Sequence, residues 1–305
     1  MLRVEGLSKT YRGGRVRALD GMTFEARAGE ALGIVGPNGA GKTTLMGCLL
    51  GLLRPDSGTI QFTEGDQNAL AVRAATGYLP ERLNFDRWMT GWAFVAYHHA
   101  LARRPPSSRE AEVTAALESV GLQTDAWRSP VRRYSRGMLQ RVGLAQAILG
   151  PPRYLLLDEP SSGVDPAGVL QIRAVLNDLK ARGTTIVLNS HQLDQVEKLC
   201  DRVVLVRGGR VEAIDDLHSN ERGRREVEVR WASVPPAGLT GASAVAASAG
   251  CELKTFEEQR GVFAAASEDA VAALVRGLTE AGFSVVGVAS IEGRLERHFA
   301  GRDAT

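Results

Sequence analysis

Residues 36 to 43 read Gly-Pro-Asn-Gly-Ala-Gly-Lys-Thr, the spacing G-x-x-x-x-G-K-[ST], and they come straight after the apolar run Ala31–Val35. Few stretches this short narrow the choice of fold as far, because the motif works only between the end of a strand and the start of a helix. Glycines let successive backbone N–H groups turn inward around phosphate oxygens, and the helix start adds about half a positive charge at the same spot. On this reading Gly36, Pro37, Asn38, Gly39, Ala40 and Gly41 form the cradle, with Thr44 on the helix behind it; that helix is expected over 44–53. Lys42 reaches the β- and γ-phosphates of a nucleoside triphosphate, and the Thr43 hydroxyl is offered to Mg²⁺. Only five of the 37 basic residues are lysines, so a lysine at this position owes little to composition.

The rest of the first ~215 residues fits that start. Tyr154–Leu157, Thr184–Leu188 and Val203–Val206 are further short apolar runs, each followed by a helix or turn pattern. Such alternation predicts an α/β fold with a mostly parallel sheet and helices packed on it. One helix is well marked: Asp165 at the cap, Pro166 at the first position, Val169, Ile172, Leu176 and Leu179 on one face, and Gly183 at the end. Gly208-Gly209 reads as a hairpin turn. The run Tyr154–Leu157 delivers two consecutive acids, Asp158 and Glu159, to the carboxyl end of its strand, where ligands bind in open α/β sheets. There Asp158 holds Mg²⁺ and Glu159 orients or deprotonates the attacking water.

Length and composition bound what surrounds this site. The 305 residues are enough for roughly two domains. A net charge of +2 gives no bulk-charge argument for nucleic acid, and none is expected as a partner. Three scattered cysteines, Cys48, Cys200 and Cys251, argue against a disulfide framework or a zinc site and for a reducing compartment. The first residues do not resemble a secretory signal. No run of apolar residues is long enough to span a bilayer, and the uncharged stretch 232–251 is mostly Ala, Gly, Ser and Pro. Work at a membrane would need another chain to cross it.

Two domains are expected, 1–215 and 216–305. Within the first, residues about 84–150 carry helical patterns and form a helical insert. Residues 215–224 are polar and charged and read as a linker. Beyond them Val227, Val229 and Trp231 alternate on one face, and Leu253–Phe256 could pair with Val262–Ala265 across a turn ending at Gly261. A helix face follows at Val271, Leu274, Val275 and Leu278, then a strand at Phe283–Val288 and a last short helix at Ile291, Leu295 and Phe299. That is a small α+β accessory domain.

With these motifs in place, residues 1 to about 215 resemble the nucleotide-binding subunit of an ATP-binding cassette (ABC) transporter. The resemblance implies a P-loop NTPase of the ABC ATPase type, a RecA-like core sheet plus a helical subdomain. Tyr11 lies where the family places the aromatic that stacks on adenine. Tyr134-Ser135-Arg136-Gly137-Met138 resembles the signature Leu-Ser-Gly-Gly-Gln, which implies that Ser135 and the Gly137 backbone contact the γ-phosphate held by the opposite subunit. Ser161–Asp165 matches the D-loop, which adds Asp165 to the nucleotide-binding set, and His191 matches the switch histidine. Glu81 stands where the family usually has Gln; it still offers an oxygen to Mg²⁺ or water but brings a charge near Glu159. Arg136 replaces the first signature glycine, and Met138 replaces the final Gln. The changes at 81 and 136 recur in a branch of exporters with separate ATPase and membrane chains.

The resemblance therefore implies an ATP hydrolase with ATP and Mg²⁺ as cofactors, Glu159, His191 and Glu81 at the catalytic centre, and Thr43, Asp158 and Glu81 around the metal. It implies a second ATPase subunit, expected as a homodimer, and an integral membrane permease subunit that holds this chain peripherally on the cytoplasmic face of the cell membrane, with outward transport preferred. The alternative is a soluble ABC-type ATPase in DNA repair or translation. Against it, tandem translation factors need two phosphate loops, and chromosome-structure ATPases need a long heptad coiled coil. This chain has one loop and no such coil. Phe85, Trp88, Met89 and Trp92 are spaced i, i+3, i+4 and i+7, which predicts one helical stripe. Phe85 and Trp88 are expected to line the groove that receives a helix of the membrane subunit.

Overall fold

The computed structural model describes residues 1–290 apart from 12, 67–68, 87 and 218–224. The chain divides into two compact units, Met1–Leu217 and His218–Thr305. The first begins with β1 (Leu2–Tyr11), β2 (Val16–Ala26) and β3 (Ala31–Val35), which runs into α1 (Lys42–Leu49). Then come β4 (Ser57–Phe62), β5 (Gly65–Asp66), α2 (Leu70–Ala74) and β6 (Thr76–Leu79). A helical stretch follows, α3 (Gly91–Leu101), α4 (Arg109–Ser119), α5 (Thr124–Trp127) and α6 (Arg136–Ala147). The unit closes with β7 (Tyr154–Asp158), α7 (Pro166–Ala181), β8 (Thr185–Asn189), α8 (Leu193–Leu199), β9 (Arg202–Arg207) and β10 (Arg210–Asp216).

The central sheet has the order β10-β9-β3-β8-β7-β6. The strands β9 to β6 are mutually parallel, and only the β9–β10 hairpin, turning at Gly208-Gly209, is antiparallel. Every residue of β3, β7 and β8 is buried, which is why these strands read as unbroken apolar runs rather than alternating ones. On α7 the buried face is Ile172, Val175, Leu176 and Leu179. Each such side chain removed from water contributes roughly 1.5–3 kcal/mol. The strand expected at Thr184–Leu188 lies one residue later, so Asn189 becomes the last residue of β8. The helix behind the phosphate loop ends at Leu49, earlier than expected.

The unit also holds a second, antiparallel sheet of order β2-β1-β4-β5, absent from the sequence reading. Its signal is the period-two burial of Leu2 and Val4 and of Ile60 and Phe62, which pack with Leu45, Met46 and Tyr154 in one core. The stripe expected across Phe85–Trp92 is not helical. Thr90 caps α3, its hydroxyl accepting the Ala93 N–H at 3.1 Å, so of the four residues only Trp92 is in the helix. The residues before it are held by the Val131 N–H on the Met89 carbonyl (2.8 Å) and a Thr90–Pro130 bridge.

The second unit contains β11 (Arg225–Trp231), α9 (Gly238–Ser248), β12 (Glu252–Phe256), β13 (Arg260–Ala265), α10 (Glu268–Glu280) and β14 (Val285–Ser290). Its strand order β12-β13-β11-β14, with every neighbouring pair antiparallel, is the split βαβ, ferredoxin-like arrangement. Val227, Val229, Trp231, Phe263, Leu274, Leu278 and Phe283 form its core. α10 is started by Ser267, whose hydroxyl accepts the Ala270 N–H, with Glu268 and Asp269 in the first turn. Gly261 lies inside β13 rather than ending a turn, and the last strand begins two residues after its expected start. The expected linker overlaps the end of β10, and its residues 218–224, like the expected helix through Ile291, Leu295 and Phe299, lie outside the described residues.

Candidate functional site

Because β3, β8, β7 and β6 are parallel neighbours, their carboxyl ends lie side by side. The phosphate loop leaves β3, His191 follows β8, Asp158 and Glu159 end β7, and Glu81 follows β6. The loop's shape depends on two glycines. Gly41 caps α1 at φ +100°, a left-handed backbone that other residues avoid. Gly36 has no room for a side chain, since a Cβ would overlap the carbonyl oxygen of Val206 on β9. A Cβ on Gly41 would likewise overlap the Ala18 carbonyl oxygen, so β2 packs directly on the loop. Tyr11 pairs with Val16, two residues before that contact, and is therefore held on the same side of the unit.

Lys42 lies back on the loop, its Nζ donating to the carbonyls of Gly36 (2.6 Å) and Pro37 (3.0 Å). Burial lowers its pKa, and the charges of Glu159 and Asp158 oppose that shift. Asp158 is buried; burial raises its pKa, a hydrogen bond from the Asn189 amide lowers it, and the charges of Glu81 and Glu159 add to the rise. Four charged groups from three parts of the chain, Lys42, Glu81 and the pair Asp158-Glu159, therefore share one field. The oxygen donors Thr43, Asp158 and Glu81 suit a hard cation such as Mg²⁺, which accepts few protein ligands beside phosphate and water oxygens. Among the described residues there is no group of three or more His, Cys, Asp or Glu side chains that could hold a metal ion by itself.

Glu159 has the most constrained backbone in the site, at φ +52°, one of two described non-glycine residues with positive φ. Its N–H donates to the Asn189 carbonyl (2.9 Å), and its own carbonyl accepts from the buried amide of Gln140 on α6 (3.1 Å). Oε1 accepts the His191 N–H at 2.9 Å and lies 2.8 Å from His191 Nδ1; Oε2 accepts from the Ser190 hydroxyl at 3.3 Å. The imidazole itself is largely exposed.

The other expected residues form a second cluster. Ser135 caps α6, its hydroxyl accepting the Met138 N–H at 3.2 Å. Gly137 abuts the segment Gly163–Asp165. Asp165 stands at the cap position of α7 but makes no capping bond; its carboxylate meets Arg141 Nη2 at 3.4 Å. The structure thus joins Lys42, Asp158, Glu159 and His191, and places Ser135, Gly137 and Asp165 around the loop that follows Glu159. Sequence reasoning missed Asn189, Gln140 and the hydroxyl of Ser190 as partners of the acids. Gln140 falls in the signature stretch and Ser190 directly precedes the switch histidine, but neither motif gives them this partner; β8 beside β7 brings Asn189 and Ser190 there, and the packing of α6 brings Gln140. Phe85 packs at a tilt of 55° against Phe94 (4.5 Å between centroids), and Trp88, 69% exposed, packs under Arg132 (4.3 Å). Neither lines the groove beside α3.

A phosphate loop on β3 facing acids on β7 and a histidine after β8 defines a P-loop nucleoside triphosphatase. A family model described as ABC transporter matches residues 19–162. The daunorubicin resistance ATP-binding protein DrrA3 of Streptomyces coeruleorubidus is 35% identical over 98% of this chain and 94% of its own length. A fluoroquinolones export ATP-binding protein of Mycobacterium tuberculosis is 35% identical over 76% of each chain. An uncharacterized ABC transporter ATP-binding protein of Nostoc is 41% identical over 67% of this chain, which spans only 62% of that relative's length. Among solved structures, an ATP-binding subunit of an ABC transporter is similar at a TM-score of 0.65 and 28% identity, covering 71% of this chain and 90% of that one. A dimeric bacterial ABC transporter cassette shares the fold at a TM-score of 0.67 and 23% identity, over 72% of this chain and 100% of that one. The chain belongs to the family of ABC transporter ATP-binding proteins.

Proposed function

We propose that this chain is the ATP-hydrolysing subunit of an ABC transporter and that its cargo moves outward through a separate membrane subunit. The observation that carries the proposal is the pairing of Glu159 with His191 at the end of β7, beside Asp158 and the phosphate loop. Lys42 exchanges the loop carbonyls for the β- and γ-phosphates. Tyr11 stacks on the base, and the loop N–H groups with Thr43 and Thr44 hold the phosphate chain. Thr43, Asp158 and Glu81 hold Mg²⁺, which when bound neutralises phosphate charge. Glu159 takes a proton from the attacking water, with His191 and Ser190 fixing its carboxylate. Ser135, Gly137 and Asp165 serve the nucleotide across a dimer with a second copy of the chain. Glu159→Gln should bind ATP and fail to turn it over; wild-type turnover would refute the assignment.

Export is supported by the kinship with proteins named for daunorubicin resistance and fluoroquinolone export. The match to the daunorubicin relative extends over the second unit, for which we propose a role in bracing or regulating the dimer. No described helix is long and apolar enough to cross a membrane. The membrane subunit is proposed to seat a cytoplasmic helix in a groove of about 860 Å³ lined by Leu70, Leu83, Phe94 and Leu101 together with Arg73 and Arg103. Leu70 and Leu101 are 79% and 58% exposed, and among the described residues no carboxylate lines the groove. An amphipathic helix with an acidic flank matches that lining. On this reading the chain sits peripherally on the cytoplasmic side of the membrane.

A further inference from the structure

Three side chains of α6 grip the segment that follows Glu159. Gln140 donates to the Glu159 carbonyl at the start of the segment, Arg136 Nη2 donates to Ser162 Oγ at 2.7 Å in its middle, and Arg141 meets Asp165 at its end. Arg136 and Gln140, at i and i+4, share one face of the helix. The hold of Arg136 is more than a polar contact. Gly163, at φ +71°, leaves open the place where a side chain would stand, and the Arg136 stem fills it: a Cβ there would lie 2.7 Å from Nε and 2.9 Å from Cγ. The glycine-seated guanidinium thus fixes the loop against the helix start. That helix start also carries Ser135, whose hydroxyl caps it, and Gly137, which faces Val164 and Asp165 across an ordinary van der Waals gap.

From this geometry we infer that Arg136 is a positioning residue that locks the loop Ser161–Asp165 to the start of α6, so that the nucleotide contact made by Ser135 and Gly137 and the placement of Glu159 rise and fall together. The inference rests on the proposed roles of Ser135, Gly137 and Glu159. In a two-site dimer each chain presents its α6 start to the partner's nucleotide and its Glu159 to its own. A rigid link between the two then relays occupancy of one site to the catalytic acid of the other. The strained backbone of Glu159 supports this reading, since its left-handed conformation persists only while its surroundings over-determine it, and Gln140 and the Arg136-held loop are two of those surroundings. The Arg136–Ser162 bond lies at an exposed surface, so a moderate effect is expected from losing it.

The test is a set of variants of the full chain, assayed for ATP turnover with saturating Mg·ATP and, separately, for equilibrium binding of a fluorescent ATP analogue. Arg136→Gly should lower kcat about three- to tenfold while nucleotide affinity stays within about twofold. Ser162→Ala, a surface change that leaves the fold intact, should give a similar loss. The double variant should be no slower than the worse single one, because both remove one link. Arg136→Lys keeps the stem over Gly163 and a donor for Ser162, and should recover at least half of the rate. Wild-type kcat in Arg136→Gly or in Ser162→Ala overturns the proposal, as do multiplicative losses in the double variant, no recovery with Lys, or a fall in nucleotide affinity that matches the fall in kcat. If Arg136→Gly does not fold, Ser162→Ala and Arg136→Lys decide the matter alone. Glu159→Gln runs beside them: full turnover in that variant refutes the reading of the site, whereas an inactive Glu159→Gln with a fully active Arg136→Gly refutes only the lock.

Discussion

Replacing Glu159 with glutamine, alone and together with His191→Ala, tests whether the two residues act as one unit. The glutamine side chain would keep an oxygen to accept the His191 N–H, a bond of 2.9 Å in the native chain, so the substitution removes charge and basicity but little packing. Loss of a general base costs about 10²–10⁴ in rate, or roughly 3–5 kcal/mol of transition-state stabilisation. His191→Ala removes the imidazole 2.8 Å from Oε1 but spares the backbone N–H and the Ser190 hydroxyl, so the carboxylate stays in place on two of its contacts. Taken at the worth of one polar contact to a charged group, about 1.5–3 kcal/mol, its loss predicts a roughly ten- to hundredfold fall in rate. If the imidazole acts through the carboxylate, it has nothing to act on once Glu159 is gone, and the double variant should match Glu159→Gln within about threefold. Phosphate release at saturating Mg·ATP measures all four chains, with ATP binding and thermal unfolding as controls. A double variant slowed by the product of the single losses would refute the coupling and give His191 a separate role in the reaction.

Further outcomes follow from the packing around the site. Gly36→Ala should lose several-fold in ATP affinity and several degrees in Tm, since the overlap is with the backbone of β9 and not with a movable side chain; unchanged binding and Tm would contradict the steric argument. Lys42→Ala should weaken ATP binding about ten- to hundredfold, the worth of a charge-assisted hydrogen bond, as read by titration calorimetry. Arg103→Glu should abolish co-purification with the membrane subunit while leaving ATP binding by the isolated chain unchanged; retained co-purification removes the groove from consideration. A chain ending at Leu217 should remain soluble and bind ATP, and loss of both would mean that the second unit supports the first. Burial raises the pKa of the Cys48 and Cys200 thiols, and Cys251 is also buried, so iodoacetamide should label none of the three before unfolding and all three after it.

The parts of this molecule that can be read from sequence are those where chemistry and chain order coincide. The loop Gly36–Thr43 carries its own strand and helix on either side, and Asp158-Glu159 ends an apolar run, so each motif states its structural context. The partners that hold Glu159 are different. Asn189 and Ser190 reach it because β8 lies beside β7, and Gln140 reaches it because α6 packs at the end of that strand. Strand order is a property of the whole sheet, and no local pattern encodes it. The aromatic stripe at Phe85–Trp92 departs from its helical spacing for a related reason. Such spacing is compatible with a helix but does not locate its start, and the Thr90 cap together with pairing to residues 130–131 fixes that start inside the stripe. α9 gives no clear sequence signal because it is mostly Ala, Gly and Ser, residues too small to mark a face; it buries Ala242 and Ala246 in the core of the ferredoxin-like unit.

The same distinction governs Arg136. Seen in the sequence, it is a departure from a glycine in the family signature and says nothing of its own purpose. In the structure it fills the space that Gly163 leaves empty, so the two positions are complementary. Gly163→Ala would crowd the arginine and also strain a left-handed backbone, whereas Arg136→Gly would leave the seat open. A paired exchange with glycine at 136 and alanine at 163 removes the crowding but not the strain. It should therefore recover part of the turnover lost in Gly163→Ala alone, and by less than Arg136→Lys recovers relative to Arg136→Gly.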